Sequence, residues 1–556
     1  MGRRVGIDVG GTFTDAVLMD DSHIEDRAKV PTYPEDLLTT ILNAIDSLKL
    51  FGRRAVEQIT VSTTLVTNAI LQGRIPYVEL CLLPGCGMNL SSFTWPVAYQ
   101  ILAGSVDYRG REISPVDELE CQRLVQKWKQ RGKVSRVAIV GKFSHRNKVL
   151  EETVASYVER ALPEVRIAFG HHWGQANFYR RSLTTYLNLA SHDLYHNFAD
   201  KLQAAVLSRG CDAPIYVLKG DGGVLPLHKV RPVESIYSGP ASSVLGALSQ
   251  SDENASFVVV DIGGTTTDLG IVLSGSPLVS SRGARIGPYS TLVRSLAVRS
   301  VPVGGDSVII TDGSNFSLAA YRLGPAFCLG GPAPTPTDAM CYLGLVEYGD
   351  RERAKEAMTT LADEGHRNPE FLRHLAQCVL DAMVEKIARQ VEELNKEWQE
   401  EPAYKVWEVL HPHDALKFYA WVSGGAAQGI AGPLGKRLHA PVRLGKYPEV
   451  SNAIGAAMAK PTFSCTMQLD TFLRRYRIEE SGEQGEWKGA RRPHLEVGTF
   501  LTDIAKREAA AKGIELANPH TEPFDFFPIV HGYQTVGQIV RGAIHVPPGV
   551  VGRVDA

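Results

Sequence analysis

Residues Gly6-Ile7-Asp8-Val9-Gly10-Gly11-Thr12-Phe13-Thr14-Asp15 set two carboxylates around a turn of glycine and threonine. Such a turn has no bulky side chain to block a ligand, and its amides and hydroxyls can point at phosphate oxygens. A carboxylate beside it can hold Mg²⁺, directly or through water. The same wording returns 253 residues later as Asp261-Ile262-Gly263-Gly264-Thr265-Thr266-Thr267-Asp268, with six of eight positions identical when Asp8 is aligned on Asp261. Both copies sit inside apolar strand patterns. Tight hairpins using Gly and Thr only for turn geometry would account for either copy alone. Repetition at a domain-sized period favours two similar lobes, each offering a phosphate loop to a shared cleft.

Other stretches carry weaker chemistry. Ser62-Thr63-Thr64-Leu65-Val66-Thr67-Asn68 ends a strand and starts a helix, so its hydroxyls either face a cleft or cap the helix. Gly304-Gly305-Asp306-Ser307 is a further glycine turn with an acid and a hydroxyl. Ser423-Gly424-Gly425-Ala426-Ala427-Gln428-Gly429 is a strand–glycine–helix junction, where a nucleotide's base or ribose can lie on bare backbone. His171, His172, Arg180 and Arg181 form a polar cluster that reads better as cleft lining than as a metal site, because adjacent His side chains diverge. Thr337-Asp338 follows a rigid Pro-rich run and also fits an N-cap pair.

The elements that must position these residues alternate between strands and helices, which argues α/β architecture. Helices are expected over 34–50, 118–130, 181–207 and 368–399, with strands over 59–63, 77–83, 137–140, 216–218 and 418–422; residues 84–115 look irregular. Two helices packed with small residues, 240–248 and 452–459, suit a close interlobe crossing. Past residue 460 the pattern changes to short strands, an Ala/Lys helix over 503–512 and more strands over 537–554.

At 556 residues the chain should hold two to four domains. Its 59 basic and 61 acidic residues leave a formal charge of −2, which gives no reason to expect nucleic acid or an anionic membrane as partner. Nothing apolar is long enough to span a bilayer, and the start lacks a signal-peptide core, so a cytoplasmic location is expected. The eight cysteines form no C-x-x-C pair and read as scattered reduced thiols.

In order, the two loops, the two small-residue helices and the Gly424–Gly429 junction resemble the phosphate, connecting and adenosine elements of the actin-like ATPase superfamily. Within it, Asp8–Asp15, Ser62–Ala69, Ser238-Gly239-Pro240-Ala241, Asp261–Asp268 and Pro334-Thr335-Pro336-Thr337-Asp338-Ala339 resemble the hydantoinase/5-oxoprolinase A-subunit family, which is related to acetone carboxylase subunits. The resemblance implies an α/β fold of two actin-like (ribonuclease H-like) lobes, 1–239 and 240–461, around an ATP cleft, with a small α+β extension over 462–556. It implies ATP and Mg²⁺ as cofactors, with Asp8 and Asp261 as metal ligands. Asp15 and Asp268 would be hairpin braces, ligands of magnesium-bound water, or a base. Gly10, Gly11, Thr12, Phe13, Thr14, Gly263, Gly264, Thr265, Thr266, Thr267, Gly304 and Gly305 would surround the phosphates, and Gly424, Gly425, Ala426 and Gln428 the nucleoside. Thr63, Thr64, Asn68, His171, His172, Arg180 and Asp338 are the candidates for substrate.

The implied activity phosphorylates a carbonyl oxygen of a cyclic amide, imide or ketone, for ring opening or carboxylation, with a B-type partner subunit in a homo- or hetero-oligomer. The alternatives are a small-molecule kinase and a nucleotide-driven switch. One departure stands out: family members often carry Gly-Gly-Gly-Ser where this chain has Gly304-Gly305-Asp306-Ser307, so the substrate does not transfer.

Overall fold

Two sheets carry the repeated turns, and each is assembled from the same parts. The protein's structure, a computed structural model, describes residues 2–48, 55–311, 316–362, 367–400, 419–517 and 519–555. In the first sheet Arg3–Val9 and Phe13–Asp20 form a hairpin, widened by His23–Pro31. Arg3–Val9 also runs parallel to Gln58–Thr63, which runs parallel to Ile215–Leu218. In the second sheet the hairpin is Phe257–Ile262 with Thr267–Leu273. Its first strand runs parallel to Tyr419–Ser423, and that strand to Val442–Leu444. The strand runs are apolar throughout because both faces are covered: Val5, Ile7, Val259 and Val260 have no exposed surface.

Two helices join the sheets by crossing over. Ser238–Gln250 lies on the second sheet, where Ala241, Val244, Leu245 and Leu248 pack on Phe257, Val259 and Val272. Ser451–Met458 lies on the first, with Ala453, Ile454, Ala457 and Met458 against Val17 and Met19. Although its residues fall within 240–461, this helix is thus part of the first sheet's packing. Gly6 permits that approach, since a β-carbon there would fall 2.0 Å from the Ala453 carbonyl oxygen. The two helices touch backbone to backbone. A β-carbon on Gly246 would lie 2.0 Å from the Ser451 oxygen, and one on Gly455 2.0 Å from the Ser242 oxygen.

Between the strands of the first sheet the chain inserts a second, all-parallel sheet in the order Arg166–Phe169, Arg136–Gly141, Glu79–Leu83, Tyr99–Ile101. Residues 84–115 therefore contain sheet where irregular chain is expected. The helix expected over 181–207 is two, Phe178–Ala190 and His192–Ser208, interrupted at Ser191. The helix expected over 34–50 begins later, at Leu37, where Asp36 accepts from the Thr39 amide; Pro34 lies in the preceding turn. Positions 49, 50 and 418 of the expected elements lie outside the described residues. The long helix Pro369–Gln399 packs beneath the second sheet through Leu380, Met383, Val384 and Ile387.

The C-terminal region is an antiparallel sheet centred on Phe463–Asp470 and Gln534–Val546, covered by Val497–Ala511. Its Cys465, Met467, Leu501 and Val540 share one apolar cluster with Val61, Ile215 and Val217 of the first sheet. Among the described residues no helix is long and apolar enough to cross a membrane.

Candidate functional site

The strand register builds the same acidic pair twice. Asp8 faces Asp15 across the first hairpin and Ser62 on the parallel neighbour. Asp261 faces Asp268 across the second hairpin and Ser423 on its parallel neighbour. Each turn closes identically, from the Gly10 amide to the Phe13 oxygen at 3.1 Å and from the Gly263 amide to the Thr266 oxygen at 2.9 Å.

The crossing helices then bring the two pairs together. Ser242 Oγ donates to Asp8 Oδ1 at 3.0 Å, and Ser243 Oγ to Asp261 Oδ2 at 2.7 Å. Asn452 Nδ2, from the other helix, bridges Asp261 Oδ2 at 2.9 Å and Asp8 Oδ2 at 3.3 Å. Ser423 Oγ donates to Asp261 Oδ1 at 3.1 Å. Two carboxylates from separate sheets thus lie within reach of one amide nitrogen.

Crowding shows in their protonation. Burial, reinforced by the charges of Asp15 and Asp261, pushes Asp8 up to about 7 against the opposing hydrogen bonds of Ser62 and Ser242. Burial and the charges of Asp261 and Asp8 push Asp268 up to about 7. Asp15 is raised by burial, opposed by Lys29, whose ammonium sits on its Oδ1. An excess of buried negative charge favours a cation. Two buried acceptors, Asp268 Oδ1 and Asn452 Oδ1, also have no hydrogen-bond partner. Among the described residues no cluster of three or more His, Cys, Asp or Glu is arranged to hold an ion alone. An ion at this place would complete its shell with water and phosphate oxygens, the habit of Mg²⁺. The residues present fit that group.

The glycines mark the open side. A β-carbon on Gly11 or Gly425 would meet nothing within 4 Å. Gly424, at φ +94°, could not carry one, since it would fall 2.3 Å from the Ile262 oxygen. Gly304 and Gly305 lie directly under the second loop: the Gly305 amide donates to the Gly263 oxygen at 2.9 Å and the Asp306 amide to the Gly264 oxygen at 2.7 Å. Ala426 is buried and Gln428 exposed at the start of the helix Ala427–Leu438. Thr12, Thr265 and Thr266 are half-buried at the turns and Phe13 is exposed.

Thr14 and Thr267 do not fit a phosphate role. Strand alternation turns both inward with no exposed surface. Thr14 Oγ1 pairs with Thr32 Oγ1 at 3.0 Å, and Thr267 Oγ1 donates to the Val303 oxygen at 2.8 Å.

The candidate substrate residues scatter. Thr63 ties the sheets, its amide and oxygen bracketing Ser238 Oγ at 3.1 and 3.0 Å; Thr64 accepts from Asn68 Nδ2 at 3.1 Å. His171 is buried in the inserted region and held by Glu151 through Nδ1 at 2.6 Å. The His172 ring meets it edge-on at 4.6 Å and is lowered to about 4 by partial burial and its His and Arg neighbours. Both lie against Gly482 of the C-terminal region, where a β-carbon would meet the His171 oxygen at 1.9 Å; His171 is packed there, while the His172 side chain stays exposed. Arg180 is half-buried at a helix start, where its amide is capped by Asn177. Asp338 is a structural hub: it accepts from the amides of Phe327, Cys328 and Thr335 and from the Thr335 hydroxyl.

Several site residues went unnoticed in the sequence. Ser62, Ser242, Ser243, Ser423 and Asn452 sit within or beside the quoted motifs but have no spacing of their own. Arg322 has no local motif at all; it reaches across to the first loop, donating to Thr12 Oγ1 and, at 2.8 Å, to the Gly11 oxygen, with Asp306 3.9 Å away. Tyr348 Oη donates to the Gly425 oxygen at 2.8 Å.

The hydantoinase/oxoprolinase profile matches residues 181–464, and the hydantoinase/oxoprolinase N-terminal region matches residues 4–162. Caprolactamase subunit alpha of Pseudomonas jessenii is 28% identical over 386 residues, 62% of this chain and 55% of that protein. The acetophenone carboxylase gamma subunit of Aromatoleum aromaticum is 26% identical over 400 residues, 62% of this chain and 54% of that protein. The chain thus spans about half the length of these two relatives. The fold is similar to a nucleotide-free structure of acetone carboxylase, with a TM-score of 0.73 at 16% identity over 98% of this chain and 87% of that one.

Proposed function

Since the chain belongs to the hydantoinase/oxoprolinase family, we propose that it is the nucleotide-binding subunit of an ATP-dependent enzyme that activates the carbonyl of a cyclic amide, imide or ketone. The observation that carries this reading is the convergence of Asp8 and Asp261 from two sheets, beside two glycine turns, under a shared serine–asparagine network. Relatives named as a caprolactamase and an acetophenone carboxylase subunit support a carbonyl substrate and a partner subunit. The two hairpin-bearing sheets support an actin-like, two-lobed layout with ATP between the lobes.

In this mechanism the chain supplies position and charge, as phosphoryl transfer chiefly requires. Bound Mg²⁺ would neutralise charge developing on the phosphates, held through Asp8 and Asp261 and their water. Amides at Gly11 and Gly264, with the hydroxyls of Thr12, Thr265 and Thr266, would donate to phosphate oxygens, while the Gly10 and Gly263 amides hold the turns closed. The bare backbone at Gly424 and Gly425 would take the nucleoside. Transfer of the γ-phosphoryl group to the substrate carbonyl oxygen makes that carbon electrophilic enough for ring opening, or primes a ketone for carboxylation. Asp268, raised to about 7 by burial and by the charges of Asp261 and Asp8, would change protonation near neutral pH.

The test is phosphate release from ATP over a panel of lactams, hydantoins, 5-oxoproline and ketones, with and without a co-purified partner. The reading expects stimulation by at least one carbonyl compound and no stable phosphorylated product. Accumulation of a phosphate ester, or indifference to every carbonyl compound, would remove it.

A further inference from the structure

A cavity of about 660 Å³ lies away from the phosphate loops, where the inserted sheet meets the C-terminal sheet. Six cationic side chains line it, Arg109, Arg146, Lys148, Arg474, Arg475 and Arg477, against two acids, Asp470 and Glu486. The cations form a floor and a rim. Arg477 is 7% exposed and Arg146 is half-buried, while Arg109, Lys148, Arg474 and Arg475 are exposed.

The floor is pre-set. Arg477 Nε and Nη2 donate to Gln468 Oε1 at 2.9 and 2.7 Å, and its Nη1 donates to the Gly174 oxygen. Arg146 Nη2 reaches the same Gln468 oxygen at 3.4 Å. One amide oxygen therefore orients two guanidinium groups side by side. Burial, with Arg146 and Arg541 nearby, pulls Arg477 down to about 10. An anion beside Arg477 would offset both its burial and the repulsion from its cationic neighbours.

The charges are only partly offset from within: Asp470 and Glu486 lie cross-strand from Arg475, and Asp470 and Asp107 act on Arg146. Among the described residues, Arg109, Arg146, Arg474 and Arg475 have no carboxylate within ion-pair distance; Lys148 pairs with Glu152, and Arg477 has only Glu479 at 3.9 Å. Asp470 is committed to its own turn, with Oδ1 accepting from the amides of Phe472 and Leu473. That turn ends at Arg474, which adopts φ +54°, a conformation that β-carbon-bearing residues rarely adopt.

We propose that this cavity binds a small multivalent oxyanion, one carrying two or more phosphate or carboxylate groups, at a site separate from the nucleotide cleft. The volume falls within the roughly 300–1,000 Å³ of small-ligand pockets. Planar guanidinium forks match the geometry of carboxylate and phosphate oxygens. The concave, bounded shape fits a compact ligand better than a nucleic-acid strand, and the chain as a whole carries −2. A bound anion would join the inserted sheet to the C-terminal sheet.

Isothermal titration of the full chain with inorganic pyrophosphate and with citrate, in magnesium-free buffer, tests this. Both anions should bind, and more weakly as NaCl is raised. Arg474→Glu/Arg475→Glu, at two exposed positions, should weaken binding at least tenfold, and Arg474→Gln/Arg475→Gln should fall between. Thr12→Ala/Thr265→Ala, in the cleft, should leave affinity within twofold. Absence of binding at millimolar anion, an unchanged affinity in the rim variants, or loss of binding in the cleft variant would each overturn the proposal. So would capture of a deca-glutamate peptide without capture of either small anion, which would assign the surface to an acidic partner segment.

Discussion

Gly455→Ala should damage catalysis from a residue that touches neither loop. A β-carbon at position 455 would lie 2.0 Å from the Ser242 oxygen and 2.5 Å from the Gly246 amide nitrogen, both backbone. Restoring an ordinary contact of roughly 3.4 Å means parting the two helices by more than an ångström, since a packed crossing has no side chain to yield. Asn452 travels on the same helix, and its bonds to Asp261 at 2.9 Å and Asp8 at 3.3 Å would not survive that shift. Hydrogen bonds to charged groups contribute about 1.5–3 kcal/mol each. If that support is fully expressed in phosphoryl transfer, losing one bond slows turnover roughly 10–100-fold. Overpacking itself costs about 1–3 kcal/mol, so the thermal midpoint should fall by a few degrees. ATP turnover and thermal melting would be measured beside two comparators. Asn452→Ala should slow turnover comparably with a smaller drop in midpoint. Gly432→Ala, where a β-carbon meets nothing within 4 Å, should change neither. Wild-type turnover in Gly455→Ala would refute the claim that the crossing sets the spacing of the carboxylates.

Asp8→Asn and Asp261→Asn should each cut ATP turnover by at least about 100-fold, the usual scale for losing a preorganised electrostatic group. Asp8→Asn should also raise the melting point of the nucleotide-free protein, because it removes one crowded buried charge; a lowered midpoint would contradict the crowding. ATP should shift the melting point only when Mg²⁺ is present, with EDTA abolishing the shift, by the mass-action logic of ligand binding; an equal shift without Mg²⁺ would dissociate the ion from the site. Arg322→Ala should lower turnover at least about tenfold, and Arg322→Lys should not restore it, since a lysine cannot reproduce the forked contact with Thr12 and Gly11; steady-state kinetics decide. Asp338→Ala should lower the melting point while leaving the KM of any carbonyl substrate unchanged, because Asp338 has no exposed surface and accepts from four donors.

The two loops were legible because their chemistry is local. Glycine, threonine and aspartate must adjoin to make such a turn, so eight consecutive residues carry the signal, and its repetition removes most of the ambiguity. The small-residue helices were legible for a related reason: only Gly, Ala and Ser permit backbone contact, and composition shows it. What tied the loops together was not legible. Ser242 and Ser243 are ordinary in a helix of small residues until the fold turns one toward Asp8 and the next toward Asp261. Arg322 is 310 positions from Thr12, and nothing in its neighbours marks it. The His171–His172 pair misled because two histidines read as chemistry, whereas a buried Glu151 some 20 residues earlier supplies a structural partner. Thr14 and Thr267 misled because a threonine in a phosphate loop reads as a donor, while strand alternation turns both into the core.

The exchange of helices between sheets has a mechanical consequence. Ser238–Gln250 is fastened to the second sheet yet sends Ser242 to the first sheet's Asp8. Ser451–Met458 is fastened to the first sheet yet sends Asn452 to the second sheet's Asp261. Each sheet therefore holds the other's carboxylate through a helix packed on it. The two helices meet through Gly246 and Gly455, so a rotation of one sheet against the other would pivot near that contact. It must also change both grips at once. On the proposed two-lobed reading, the carboxylates that would meet the nucleotide's cation are thus the groups whose hydrogen bonding would change with the angle between the sheets. Binding energy gained at Asp8 and Asp261 would then be available to close the cleft, and Arg322, which donates to the Gly11 oxygen of the first loop, would take part in that closure.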